Sequence, residues 1–152
     1  MKTINKQTAN NNTMITIILL IAALGIISIV LNIKLKKSHE IKWNILQAQQ
    51  ASLNSLYIAK DMLKNHCLEQ NCINTSGCPF WSDHPKIRVT NKDGTPNKLW
   101  WNTNAYSIPG SNHNEKFIII KKPNNVYKIM SFAENLCGTQ SIISTGYVLS
   151  VD

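Results

Sequence analysis

Arginine is almost missing from this chain. Arg88 is the only one in 152 residues, and the remaining basic charge is lysine scattered along the sequence. Nucleic-acid faces draw on clustered lysine and arginine, so the formal net charge of +8 does not point to a nucleic-acid partner. Acidic residues number only 8, and none form a paired-carboxylate motif. There is no nucleophile elbow and no glycine-rich phosphate loop. The short Cys-x2-Cys knuckle of zinc sites is absent, although Cys67, Cys72, Cys78 and His84, with His66 adjacent, are the nearest approach to one. These absences leave no expected catalytic residue, cofactor, metal or small-molecule substrate. Two further absences are structural. No charge occurs between Met14 and Ile33, and neither proline nor glycine occurs between Lys34 and Asn65.

The uncharged stretch, MITIILLIAALGIISIVLNI, is what the rest of the chain is organised around. At about 1.5 Å per residue, a helix of this length reaches about 30 Å, the thickness of a bilayer's hydrocarbon core. It runs straight into Lys34-Leu35-Lys36-Lys37 with no small-x-small cleavage site, which favours a retained anchor over a removed signal. Residues 1–13 are polar and Asn-rich and read as a short disordered leader. Beyond the span, residues 34–152 hold 14 basic against 8 acidic residues, or +6. Lys36, Lys37 and Lys42 would sit near anionic headgroups, each contributing on the order of 1 kcal/mol.

From Lys34 to about residue 66 the pattern is helical. Ile45, Ala48, Ser52, Leu56, Ala59 and Leu63 fall at three- and four-residue steps, with Leu46, Leu53, Tyr57 and Lys60 alongside. The simplest expectation is one continuous helix over about 13–65. The signal then turns to strands and turns over 67–152. A cross-linked loop over 67–85 leads to a weak strand at 86–90, the turn Asn91-Lys92-Asp93-Gly94 and a strand over 99–108 holding Trp100 and Trp101. A β-branched run follows at 116–121, paired across Pro123-Asn124-Asn125 with 126–132, and a closing strand over 140–151. In a strand, neighbouring side chains face opposite ways, which puts one tryptophan of the pair in the core. The fold class expected is α+β: a long N-terminal helix, membrane-spanning in its first half, packed on a small antiparallel sheet.

Charge and cysteine disagree about orientation. Three lysines follow the span within four residues against two before it, a weak bias toward a cytoplasmic C-terminal side. Cys67, Cys72, Cys78 and Cys137 form an even set in a small domain, the pattern of disulfides made outside the cytoplasm. The cysteines carry more weight, because charge bias is only a statistical preference. Four cysteines allow three pairings, of which Cys67–Cys72 with Cys78–Cys137 is preferred. The second bridge would close a loop of about sixty residues and contribute about 4 kcal/mol.

Four stretches resemble type IV pilins. Leu24-Gly25-Ile26-Ile27-Ser28 is similar to the middle of a pilin transmembrane segment. Leu46-Gln47-Ala48-Gln49-Gln50-Ala51-Ser52-Leu53 resembles the Ala/Gln-rich stretch that follows it in PilX-type minor pilins. Val126-Tyr127-Lys128-Ile129 and Thr145-Gly146-Tyr147-Val148-Leu149-Ser150 resemble their last two strands. The resemblance implies a non-catalytic subunit of a type IV pilus or secretion pseudopilus, single-pass in a bacterial inner membrane with a periplasmic head. Its partners would be membrane lipid and other pilin or minor pilin subunits. Ile15, Ile18, Leu19, Ala22, Gly25 and Ile26 would carry the helix packing. Two positions depart from the family. Aligning Gly25 with the pilin mid-helix glycine puts Asn11 where the prepilin peptidase takes glycine, and Thr16 where most pilins carry glutamate. The second departure fits a tip subunit with no neighbour ahead of it, or a bitopic envelope protein that never enters a fibre and whose head binds a partner protein.

Overall fold

The computed structural model describes residues 4–65, 78–82, 87–124 and 126–149. Helix α1 runs over Ile4–Lys64, followed by β1 (Phe80–Ser82), α2 (Lys98–Asn104), β2 (Tyr106–Ser107), β3 (Lys116–Lys122), β4 (Val126–Glu134) and β5 (Ser141–Leu149). The chain divides into two compact units, Met1–Ile41 and Lys42–Asp152.

The first unit is helix. It begins at Ile4 rather than near residue 13, so the polar leader is helical from that point and not irregular. Once the apolar span has nucleated the helix, each added residue gains a backbone bond at little cost. The span is long and apolar enough to cross a membrane, and none of it is buried.

The second unit is α+β. Its sheet is ordered β1-β3-β4-β5, with β2 also paired to β3. The three long strands form an antiparallel meander, from Lys116↔Phe132 to Lys122↔Val126 and from Val126↔Leu149 to Glu134↔Ser141. The turn between β3 and β4 has Asn124 at φ 62°, a left-handed conformation that asparagine tolerates well. The sheet is mixed, not purely antiparallel as expected, because β1 runs parallel to β3. Two strands need a long connection to pair in parallel, and residues 83–115 supply it.

Phe117, Ile118, Ile119 and Ile120 are all buried. Such a continuous apolar run marks a strand covered on both faces. Phe117 and Ile119 pack with Ile129, Phe80 and Cys78 against Leu56, Ala59 and Leu63 of α1. Ile118 and Ile120 pack with Phe132 and Trp81 against Trp101 and Ala105. The second half of α1 therefore covers one face, and α2 with its flanking segment covers the other.

The 99–108 segment is a helix followed by a two-residue strand, not the expected single strand. Asn97 caps α2, its side-chain oxygen accepting the Trp100 N–H at 3.2 Å. At 86–90 the described residues form no strand; Thr90 and Pro96 make only an isolated bridge around the 91–94 turn.

Helix α1 approaches β4 and β5 through small residues. Ser52 Oγ donates to Ser144 Oγ at 2.9 Å and lies 3.2 Å from Ser131 Oγ, while Ser131 Oγ donates to the Ser52 carbonyl at 2.8 Å. A Cβ added to Gly146 would lie 3.0 Å and 3.2 Å from the two methyl carbons of Leu56, and 3.3 Å from Lys60 Cε. Gly146→Val should destabilise the protein by about 1–3 kcal/mol through overpacking. Combined with Leu56→Ala it should cost less than the sum of the two single changes. Urea unfolding midpoints of the two single variants and the double variant measure both effects.

Candidate functional site

The residues expected to pack between subunits lie on one stripe of α1. Ile15, Ile18, Leu19, Ala22 and Ile26 follow at three- and four-residue spacings, and Gly25 adjoins them. Ile15, Ile18, Leu19 and Ile26 are 56 to 64% exposed. Nothing lies within 4 Å of a Cβ added at Gly25. The stripe is thus uncovered, and its small members permit close approach by another helix.

The cysteines differ from expectation. Cys78 is buried and disulfide-bonded. Cys137 is an exposed free thiol, so the Cys78–Cys137 bridge is not formed. The topology accounts for this. Cys78 immediately precedes the β1 edge and faces α1, whereas Cys137 lies in the turn between β4 and β5, across β3 and β4. Cys67 and Cys72 lie outside the described residues, as do His66, Asp83, His84 and the Asn74-Thr75-Ser76 sequon.

Trp101 is fully buried and Trp100 half-buried. Trp81 and Trp100 lie 5.3 Å apart, Trp100 and Trp101 meet edge-on at 5.7 Å, and Trp101 stacks on Phe132 at 5.4 Å. Both buried indoles are satisfied: Trp101 Nε1 donates to the Val89 carbonyl at 3.0 Å, and Trp81 Nε1 donates to the Cys78 carbonyl at 3.2 Å. This is core packing with its polar atoms used internally.

No family model, curated protein or solved structure matches the chain.

Two polar clusters were not legible in the sequence. Glu134 ion-pairs with Lys98 at 2.7 Å and accepts from Asn114 Nδ2 at 2.8 Å, while Lys98 also donates to the Gly138 carbonyl at 2.8 Å. Lys116, on the same sheet face, is only 6% exposed, and its ammonium donates to Ser107. Burial lowers the Lys116 pKa from the usual lysine value, and attraction to Glu134 offsets part of that. The other cluster borders an open groove of about 620 Å³. Trp43, Leu46, Gln47, Gln50 and Asn54 of α1 line one side, with His113, Glu115 and Leu136 across from them. Buried Glu115 already accepts from Asn54 and Ser55, each at 3.3 Å, and His113 Nδ1 lies 3.1 Å from the Glu134 carbonyl. Those bonds hold the loop 111–115 on the helix. Among the described residues no three potential metal ligands converge.

Two predictions follow from these geometries. Because the folded Lys116 has a pKa below its ordinary 10.5, the unfolded chain holds that proton more tightly between the folded value and 10.5. Its contribution to stability therefore rises with pH across that interval. Unfolding midpoints taken from neutral to alkaline pH should show a smaller rise in Lys116→Met than in the wild type. For the cysteines, maleimide labelling followed by peptide mass mapping should modify Cys137 in the native unreduced protein and Cys78 only after reduction and unfolding. Cys137→Ser should change stability by less than about 0.5 kcal/mol.

Proposed function

We propose that this protein is a membrane-anchored, non-catalytic subunit that assembles through its N-terminal helix, in the manner of a minor pilin. The observation that carries this reading is the two-part use of α1. One uninterrupted helix, Ile4–Lys64, is apolar and exposed over 14–33. Over its second half it buries Ala48, Ser52, Leu56, Ala59 and Leu63 against a small sheet. A bare apolar helix needs either lipid or other helices around it. In lipid it is an anchor; among identical or related helices it is the core of a fibre. The Cys78 disulfide supports a head outside the cytoplasm.

Thr16 and Asn11 favour a second reading, since a fibre subunit of the pilin type would carry glutamate and glycine there. In that reading the same anchor holds a head that binds a partner protein and never enters a fibre.

The test combines membrane retention with assembly. Replacing both Ala22 and Gly25 with leucine keeps the span apolar and closes the small-residue approach. The protein should stay in the membrane fraction with its head folded, while recovery in sheared surface fibres, or cross-linking to pilin subunits, should fall about tenfold. Unchanged assembly in that variant would overturn packing through Ala22 and Gly25, whereas no assembly in the wild type would leave the anchored partner-binding reading. A periplasm-dependent phosphatase fused after Asp152 should be active; a fusion active only in cytosolic form would remove both readings.

A further inference from the structure

Among the described residues, strand β5 is the edge of the sheet. It pairs with β4, and among the described residues no strand pairs with its other side. Native sheets blunt exposed edges with charge, proline or a bulge, because an unpaired row of N–H and C=O groups templates another strand. Ser141–Leu149 has nine residues, SIISTGYVL, with neither charge nor proline. Its C-terminal half carries large exposed apolar side chains, Tyr147 at 62% and Leu149 at 73%.

The surroundings of that half are basic and sided. Gly146 and Val148 face α1, where the Lys60 side chain lies against Gly146 and Lys60 Nζ stands 5.8 Å from the Tyr57 ring centroid. Lys121 occupies the same row as Tyr127 and Val148. On the opposite face, Lys128 sits opposite Tyr147. The one acidic residue in β3, β4 and β5 is Glu134, at the far end opposite Ser141, and it is held by Lys98.

We propose that the β5 edge binds an extended segment of a partner protein in which acidic and apolar residues alternate, adding it to the sheet as a further strand. Alternation follows from the pleat. On an added strand, successive side chains turn to opposite faces. Those on the α1 side lie beside Gly146, over which Leu56 and the Lys60 stem already pack, and along the Lys60 side chain, whose charge favours a carboxylate. Those on the other side lie beside Tyr147 and Leu149, where an apolar group is favoured. Main-chain bonds would supply affinity and this sidedness the specificity. A second copy of the chain is a poorer occupant, because β5 itself has no acidic residue and each copy carries a formal +8. The inference stands apart from fibre assembly, since it concerns only the Lys42–Asp152 unit.

The test uses the full chain in nanodiscs of zwitterionic lipid. The probe is a short synthetic peptide of alternating Glu and Val, capped at both ends. It should bind, slow amide hydrogen exchange over 141–149, and weaken about tenfold in Lys60→Glu. Lys60→Met, which keeps the stem and removes the charge, should weaken it by less. The same peptide with lysine for glutamate, or with a central proline, should not bind. The proposal is overturned by no binding to the folded wild type, by binding that leaves β5 exchange unchanged, or by equal binding of the proline peptide, which would mean charge attraction alone. Slowed β5 exchange that depends on protein concentration without peptide would assign the edge to a second copy and overturn it equally.

Discussion

The close approach of α1 to β4 and β5 is the constraint on which the head depends. Ser131 Oγ reaches the backbone carbonyl of Ser52, and Ser52 Oγ in turn reaches Ser131 and Ser144. A helix lies this near a sheet only where both surfaces offer small side chains. Ala48, Ala51, Ser52 and Ala59 provide them on the helix, and Gly146 on β5 receives Leu56. The serines also fix register. A shift of α1 by one turn would leave their hydroxyls buried without partners, at about 1–3 kcal/mol each. No buried side-chain polar atom among the described residues lacks a partner as the helix stands. Polar bonds here choose one packing among several that the apolar residues alone would allow.

The opposite face of the sheet is closed by different means. There, bulk replaces small residues: Trp81, Trp101 and Phe132 fill the layer, with Trp100 leaning on it from the side. Covering that face demands a long excursion between β1 and β3, and α2 sits within it. The excursion is also why β1 joins the sheet in parallel. Lys116 is a by-product of this arrangement. Its position on β3 points it to the α2 side, where its side chain is almost fully buried. Glu134 moderates the cost of burial without removing it, which is why the Lys116 pKa is lowered.

What could be read from the residues, and what could not, divides along the range of the interactions. The span, the helical stripe from Ala48 to Leu63 and the strands β3, β4 and β5 rest on local periodicity and on turn residues such as Pro123 and Asn124. All of those signals lie within a few residues of the structure they specify. The α2 helix was hidden because Trp100 and Trp101 carry strand preference, while the decisive element is a single cap from Asn97. The parallel pairing of β1 and the placement of Cys78 away from Cys137 depend on topology, to which cysteine spacing is blind. The serine cluster was invisible for the opposite reason. Ser52 looked like a tolerated small residue on an apolar stripe, and only its juxtaposition with Ser131 and Ser144, far along the chain, gives it a role.

The bare half of α1 obeys a different physical rule from the packed half. In water, burial of apolar area drives association, at about 25 cal/mol per Å². In lipid that drive vanishes, since acyl chains are as apolar as leucine, and helices associate only where they fit. In a bilayer, large side chains such as Ile15, Ile18, Leu19 and Ile26 would hold the helix without favouring any neighbour. Any selectivity between helices there would have to come from Ala22 and Gly25, the places where backbone can approach backbone. Thr16 bears on the same question. Carboxylates buried in an apolar assembly require a cationic partner, and an unpaired one is strongly destabilising. A threonine hydroxyl can bond back to its own helix and makes no such demand. The span of this chain can thus stay in lipid or enter a helical assembly without a charged neighbour.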